Sequence, residues 1–274
     1  MLHTSPRVDT RKYIPVARNI AKPKMAASQI TLYDLPTKKT NPPTCWSPNV
    51  WKARLVLNYK GTPYQTTFLK HPDIEPTLSS IGITPNPPMG PAGPQSRYTV
   101  PAIHLPDGTA VMDSARIAPI LEKSHPEPSL HLENGLHEQA GPILGQVARP
   151  LLGVFYPLIM REVLLDDVAP YWRAKREAAF GCTIEEFEAA KGGEGAWQAA
   201  QPGFDAMEKF LKDNKKDQGP FILGSQVCYG DFIIAAMAES MSRINQALYD
   251  RLIASCVGVQ ELHEACREWF EKDT

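Results

Sequence analysis

Ser47 followed by Pro48 is the pairing in this chain best suited to hold an anion. A serine ahead of a helix offers its hydroxyl to an orphan N–H, and a proline at the first helical position has no N–H to lose. The stretch Cys45-Trp46-Ser47-Pro48-Asn49-Val50-Trp51 therefore predicts a helix start, with the helix running on through Lys52 to Tyr59. Such an end carries about half a positive charge and unpaired donors, which favour a thiolate or a carboxylate. Cys45 brings a thiol of its own to the same place. A free thiol has a pKa of about 8.5, so near neutral pH only a few per cent is nucleophile; lowering it by about two favours the thiolate by about 2.7 kcal/mol. A hydroxyl donor at a helix N-terminus supplies an effect of this kind. Asp113-Ser114 opens a second helix in the same style, and its side chains can cap that helix as readily as they can hold a ligand.

The elements around these residues divide the chain. Ile30 and Leu32 alternate with Thr31 and Tyr33 as in a half-buried strand. The Ser47 helix stops at Gly61-Thr62-Pro63, and a strand at Tyr64 to Leu69 is expected to pair in parallel with the first. A short helix near Ile74 to Ile81 and a Pro/Gly-rich loop over Pro85 to Pro94 follow. Pro106-Asp107-Gly108-Thr109 then reads as the turn of a hairpin between Val100-Leu105 and Ala110-Met112. From about Glu133 to Thr274 the strand pattern disappears. Helices are expected over Ile143 to Leu158, which Pro142, Pro150 and Pro157 must start, kink or divide, and over Pro170–Phe180, Glu194–Leu211, Gly230–Ile244 and Gln260–Lys272, with Pro202-Gly203 as an expected break. The organisation is an extension over residues 1–28, an α/β domain over 29–127 and an all-α domain over 133–274.

Composition bounds the chemistry. A formal charge of −1 without a clustered basic surface argues against nucleic acid as the main partner. Five cysteines without a C-x-x-C pair fit free thiols in a reducing compartment. No apolar run reaches membrane-spanning length, and neither H-E-x-x-H nor a Gly-rich loop ending in Gly-Lys-Ser/Thr occurs. His131 and His137 lack the spacing of paired metal ligands and read as surface residues, so no metal is expected. Residues 1–28 carry six Lys or Arg against the single acid Asp9 and are broken by prolines; they read as a disordered extension or a targeting segment.

The β-α-β-α-β-β-α order, the proline opening the third strand and the acid-serine pair opening the last helix resemble the thioredoxin-like domain of glutathione transferases. Trp46-Ser47-Pro48-Asn49-Val50-Trp51-Lys52-Ala53-Arg54, Leu57-Asn58-Tyr59-Lys60-Gly61 and Pro72-Asp73-Ile74-Glu75-Pro76-Thr77 are similar to the fungal transferases related to bacterial β-etherases. The Phe232-Ile233-Ile234-Ala235 core with Asp231 before it resembles that family's buried capped helix. Cys228 stands where the family has Ser or Thr, so an incomplete cap is expected.

The resemblance implies a thioredoxin-like domain followed by an all-helical one, glutathione as co-substrate, and a homodimer. It makes Ser47 the catalytic donor to the glutathione thiol. Val100-Pro101 becomes the cis-proline step whose preceding backbone pairs with the cysteinyl part of glutathione, and Asp113 and Ser114 the pair that holds its γ-glutamyl end. Cys45 is the alternative nucleophile, through a mixed disulfide as in transferases that look more like glutaredoxins; Tyr33 is a further hydroxyl near the first strand. A small apolar or aromatic electrophile is expected between the domains, against Phe155 and Tyr156, with Tyr171 and Trp172 nearby. The expected reaction is conjugation to, or cleavage of, that electrophile, in detoxification or secondary metabolism. A ligand carrier that keeps the fold without turnover is the competing expectation. The expected location is cytoplasmic, or mitochondrial if residues 1–28 are a transit peptide.

Overall fold

The computed structural model describes residues 29–90, 93–94 and 96–274. The expectations for residues 1–28 lie outside it. Strands β1 (Ile30–Asp34), β2 (Tyr64–Phe68), β5 (Ala102–His104) and β6 (Ala110–Met112) form one sheet in the order β2-β1-β5-β6. β1 pairs in parallel with β2 and antiparallel with β5. Its central place explains why all five of its residues are buried, where alternation alone predicts one wet face. Within the Pro/Gly-rich loop, β3 (Met89–Gly90) and β4 (Gly93–Pro94) pair as a two-residue antiparallel ribbon.

Helix α1 (Pro48–Tyr59) begins one residue after Ser47. It buries Val50, Trp51, Ala53, Arg54, Leu55, Val56 and Leu57, almost its whole circumference, because it packs both on α3 (Ser114–Ser124) and on α9 (Tyr229–Ile244) of the helical part. A short α2 (Ile74–Ser80) completes the α/β part.

The helical part comprises α4 (Leu136–Ala148), α5 (Leu152–Leu158), α6 (Ala169–Phe180), α7 (Ile184–Lys191), α8 (Gly193–Asp213), α9, α10 (Gln246–Ser255) and α11 (Val257–Ala265). Pro202-Gly203 does not break α8. A Cβ on Gly203 would lie 2.7 Å from the backbone of Gln146 and Val147, so this glycine lets α4 and α8 touch. α7 was not expected, although Thr183 and Glu186 form a full capping box at its start. The last helix is shorter than expected. After Ala265 the chain tightens into a 3-10 turn over Arg267–Phe270, which seats Phe270 edge-on to Trp51 at 5.2 Å and Trp269 edge-on to Tyr59 at 5.0 Å. No single described helix is long and apolar enough to cross a membrane.

The incomplete cap expected for α9 is instead a complete box. Cys228 N–H donates to Asp231 Oδ2 at 2.7 Å, and the Cys228 sulfur faces the Asp231 amide as the weaker acceptor. Asp231 Oδ1 also accepts from Ile222 N–H at 2.7 Å. Burial pushes the Asp231 carboxyl up to about 6 despite these donors.

Two sets of contacts hold the segment before Ser47. Lys38 N–H donates to Val163 O at 2.9 Å and Trp46 Nε1 to Pro36 O at 3.3 Å. Cys45 N–H donates to Asp273 O at 2.9 Å, and Asn58 Nδ2 to Trp269 O and Lys272 O at 2.6 and 3.0 Å. Trp46–Pro36 is a local tie, whereas the Lys38 and Cys45 amides are held by Val163 and Asp273 from the helical part and the C-terminal end.

Candidate functional site

Ser47 has the extended backbone of an N-cap, yet its side chain makes no hydrogen bond to its own helix. Its hydroxyl and the uncapped start of α1 belong to the wall of a cavity of about 530 Å³ between the two parts. Asn49, Lys52, Thr99 and Val100 also line this cavity, and they recur in the wall of a second cavity of about 710 Å³ together with Pro101, Asp113 and Ser114. The two volumes are neighbouring halves of one cleft. The Val100–Pro101 peptide is cis.

Asp113 adopts φ 82° and accepts from Ala115 N–H at 3.0 Å, while its own N–H donates to Pro101 O at 3.0 Å. The loop carrying Val100 and the helix carrying Ser114 are thereby tied together. From the helical side, the buried Tyr229 hydroxyl donates to Ser114 O at 3.0 Å, and burial holds its pKa above the ordinary phenol value. Ser47, Val100, Pro101, Asp113 and Ser114 therefore all line one cleft.

Cys45 does not. It is fully buried behind the helix start, beside the Asp34–Arg54 ion pair of 2.8 Å. Burial and then the Asp34 carboxylate raise its thiol well above the ordinary value, with Arg54 opposing. A thiol so placed is the reverse of an exposed, low-pKa nucleophile. Tyr33 is likewise buried and lines neither half of the cleft.

Lys52 was not singled out from the sequence. It lies one turn along α1 on the Asn49 face, with its ammonium 3.0 Å from Asn49 Oδ1. Desolvation lowers its pKa and the Asp113 carboxylate offsets part of that. A lysine near a helix N-terminus opposes the dipole, and in a helix buried almost all round that mismatch is the signal that pointed to it. His137 also departs from expectation: it is half-buried, lines the second half of the cleft, and its Nδ1 has no partner. Among the described residues, no group of three or more His, Cys, Asp or Glu is placed to hold a metal.

The far side of the first cavity is apolar and aromatic. Ile74, Leu152, Phe155, Tyr156, Ile159 and Trp172 line it, whereas Tyr171 is exposed and does not. Arg176 lies here with its guanidinium carbon 4.8 Å from the Tyr156 ring centre and 5.3 Å from that of Trp172. His71 lies on the same wall, its pKa pulled down to about 4 by burial and then by Arg176. A cleft with a polar end at a helix start and an aromatic far end suits the joining of a charged nucleophile to a flat apolar molecule.

Residues 46–124 match the model of the glutathione S-transferase N-terminal domain, and residues 142–251 that of the glutathione S-transferase C-terminal domain. The glutathione S-transferase-like protein ustS of Aspergillus flavus is 30% identical over 264 residues, covering 90% of this chain and 93% of that protein. Among solved structures, glutathione transferase GSTFuA2 of Phanerochaete chrysosporium is 28% identical with a TM-score of 0.79, covering 90% of this chain and 100% of its own. The glutathione S-transferase CsGST63524 of Ceriporiopsis subvermispora, solved in complex with glutathione, is 29% identical with a TM-score of 0.76, covering 90% of this chain and 99% of its own. With both domain models matched in order, a relative aligned over nine-tenths of its length, and a thioredoxin-like sheet followed by a helical domain, the chain belongs to the glutathione S-transferase family.

Proposed function

We propose that this protein binds glutathione in the polar half of the cleft, ionises its thiol against the Ser47 hydroxyl and the start of α1, and transfers it to a small apolar or aromatic electrophile. The observation that carries this reading is the unspent Ser47 hydroxyl, an N-cap side chain that lines the cleft while leaving its own helix uncapped. The Val100 backbone is assigned to the cysteinyl part of glutathione. Ser114 and the start of α3 are assigned to the γ-glutamyl carboxylate and the Asp113 carboxylate to the γ-glutamyl ammonium. Lys52 is added as the partner of the glycyl carboxylate. In the reaction the thiolate sulfur forms a bond to an electrophilic carbon, the leaving group departs with its electron pair, and the thiol proton passes to solvent. Cys45 is set aside as nucleophile because its thiol is sealed from the cleft.

Glutathione titration of the full chain, followed by thermal unfolding, tests the reading. A ligand that binds only the folded state stabilises it by about 2.7 kcal/mol at a hundred times its dissociation constant. A saturating rise in melting temperature is expected, and no shift at millimolar glutathione overturns it. Glutathione binding without turnover of any aryl or alkyl halide favours the carrier. A homodimer is part of the same proposal, and sedimentation of a monomer at micromolar concentration removes it.

A further inference from the structure

We propose that the aromatic half of the cleft is built for an aromatic carboxylate, with Arg176 as the partner of its anionic group. This deepens the reading above and rests on it only in taking this half of the cleft as the site of the second substrate.

Arg176 is a cation in an otherwise apolar wall. Its guanidinium carbon lies close to both Tyr156 and Trp172, whose rings stand edge to face at 5.4 Å. The guanidinium carries five N–H donors in a planar fork. Among the described residues those donors have no hydrogen bond or ion pair, and no acidic side chain lines this cavity. Glu177 on the same helix and Glu185 are paired with Arg173, and Asp167 with Lys70. His71, the remaining ionisable group on this wall, is neutral at physiological pH and does not compete for an anion. Phe155, Tyr156 and Trp172 line the space a flat ring would take, and the fork of Arg176 matches a carboxylate with two parallel hydrogen bonds. The cation at the other end of the cleft, Lys52, is held by Asn49 and balanced by Asp113, so the two ends separate their anions.

The test uses 4-chloro-3-nitrobenzoate and its methyl ester, flat rings that differ in the charge of one substituent. Affinity is measured by calorimetry on the full chain without glutathione, so a failure of thiol activation at Ser47 does not touch the result. The acid is expected to bind about tenfold or more tighter than the ester, the worth of a charge-assisted pair in a half-buried site. Arg176→Met is expected to remove that preference, and Arg176→Lys, which keeps the charge without the planar fork, to retain part of it. With glutathione added, the thiolate displaces chloride from the ring, forming C–S as C–Cl breaks, and the acid-to-ester ratio of kcat/KM should follow the same order. Equal affinity of the unmodified protein for acid and ester overturns the proposal. So does an equal loss of both in Arg176→Met, which would make Arg176 a packing residue. If Arg176→Met melts before it can be assayed, the acid-to-ester ratio of the unmodified protein and of Arg176→Lys decides.

Discussion

Helices α1 and α9 pack against each other, and their starts are opposites. At α9 the carboxylate of the start is answered within the chain: Asp231 accepts from the Cys228 and Ile222 amides, with the Cys228 sulfur facing the Asp231 amide. At α1 the N-cap serine answers nothing in its own helix and lines a cleft. One start is spent on holding the fold. The other is left open, and a helix end left open at a cavity is suited to an anion.

The largest effect should come from breaking the closed start. Asp231→Ala leaves two buried amides without acceptors, at about 1–3 kcal/mol each, so a loss of about 2–6 kcal/mol is expected in urea unfolding. The same residue sets a pH signature. Its carboxyl is pushed up to about 6 in the folded chain by burial, so the folded state holds that proton more tightly than the unfolded one. Its contribution is therefore fully present below about pH 4 and lost as pH rises through about 6. The stability of the unmodified protein minus that of Asp231→Asn should fall by about 2–3 kcal/mol across that window, and a difference that rises instead would contradict the assigned burial.

At the open start the effects move from stability to turnover. Ser47→Ala should lower kcat at least about tenfold, about 1.4 kcal/mol, through loss of one donor to the thiolate. Its melting temperature should hardly change, because the side chain caps nothing. A large loss of stability with intact turnover would make the two starts alike and end the comparison. Lys52→Met should raise the glutathione KM by about fivefold with a smaller change in kcat, the pattern of lost ground-state binding. Cys45→Ala should leave kcat within about twofold, since its thiol is sealed behind the helix; a collapse of turnover would return the nucleophile to Cys45.

Much of this was legible in the residues. Ser47-Pro48 marked the start of α1, Asp107-Gly108 marked the hairpin, and Asp113-Ser114 marked the start of α3, because caps and turns are local chemistry. What escaped was what depends on a distant neighbour. Nothing local says that Pro202-Gly203 stays helical, since the reason is the approach of α4. The break after Ala265 is likewise decided by the places Trp269 and Phe270 find against α1. Arg176 reads locally as one basic residue among several on a surface helix, and only the fold brings Tyr156 and Trp172 beside it.

The sequence by itself determined the order of the main elements in the α/β part, the two helix starts with their side chains, and the family resemblance. Tertiary structure alone decided which start is closed and which is open, that Cys45 is walled off while Lys52 reaches the cleft, and that Arg176 stands without a carboxylate among aromatic rings. The physical reason is range. Capping and turn formation act over three or four residues, whereas burial, which sets whether a hydroxyl, thiol or guanidinium is free to act, is a property of what the rest of the chain places against it.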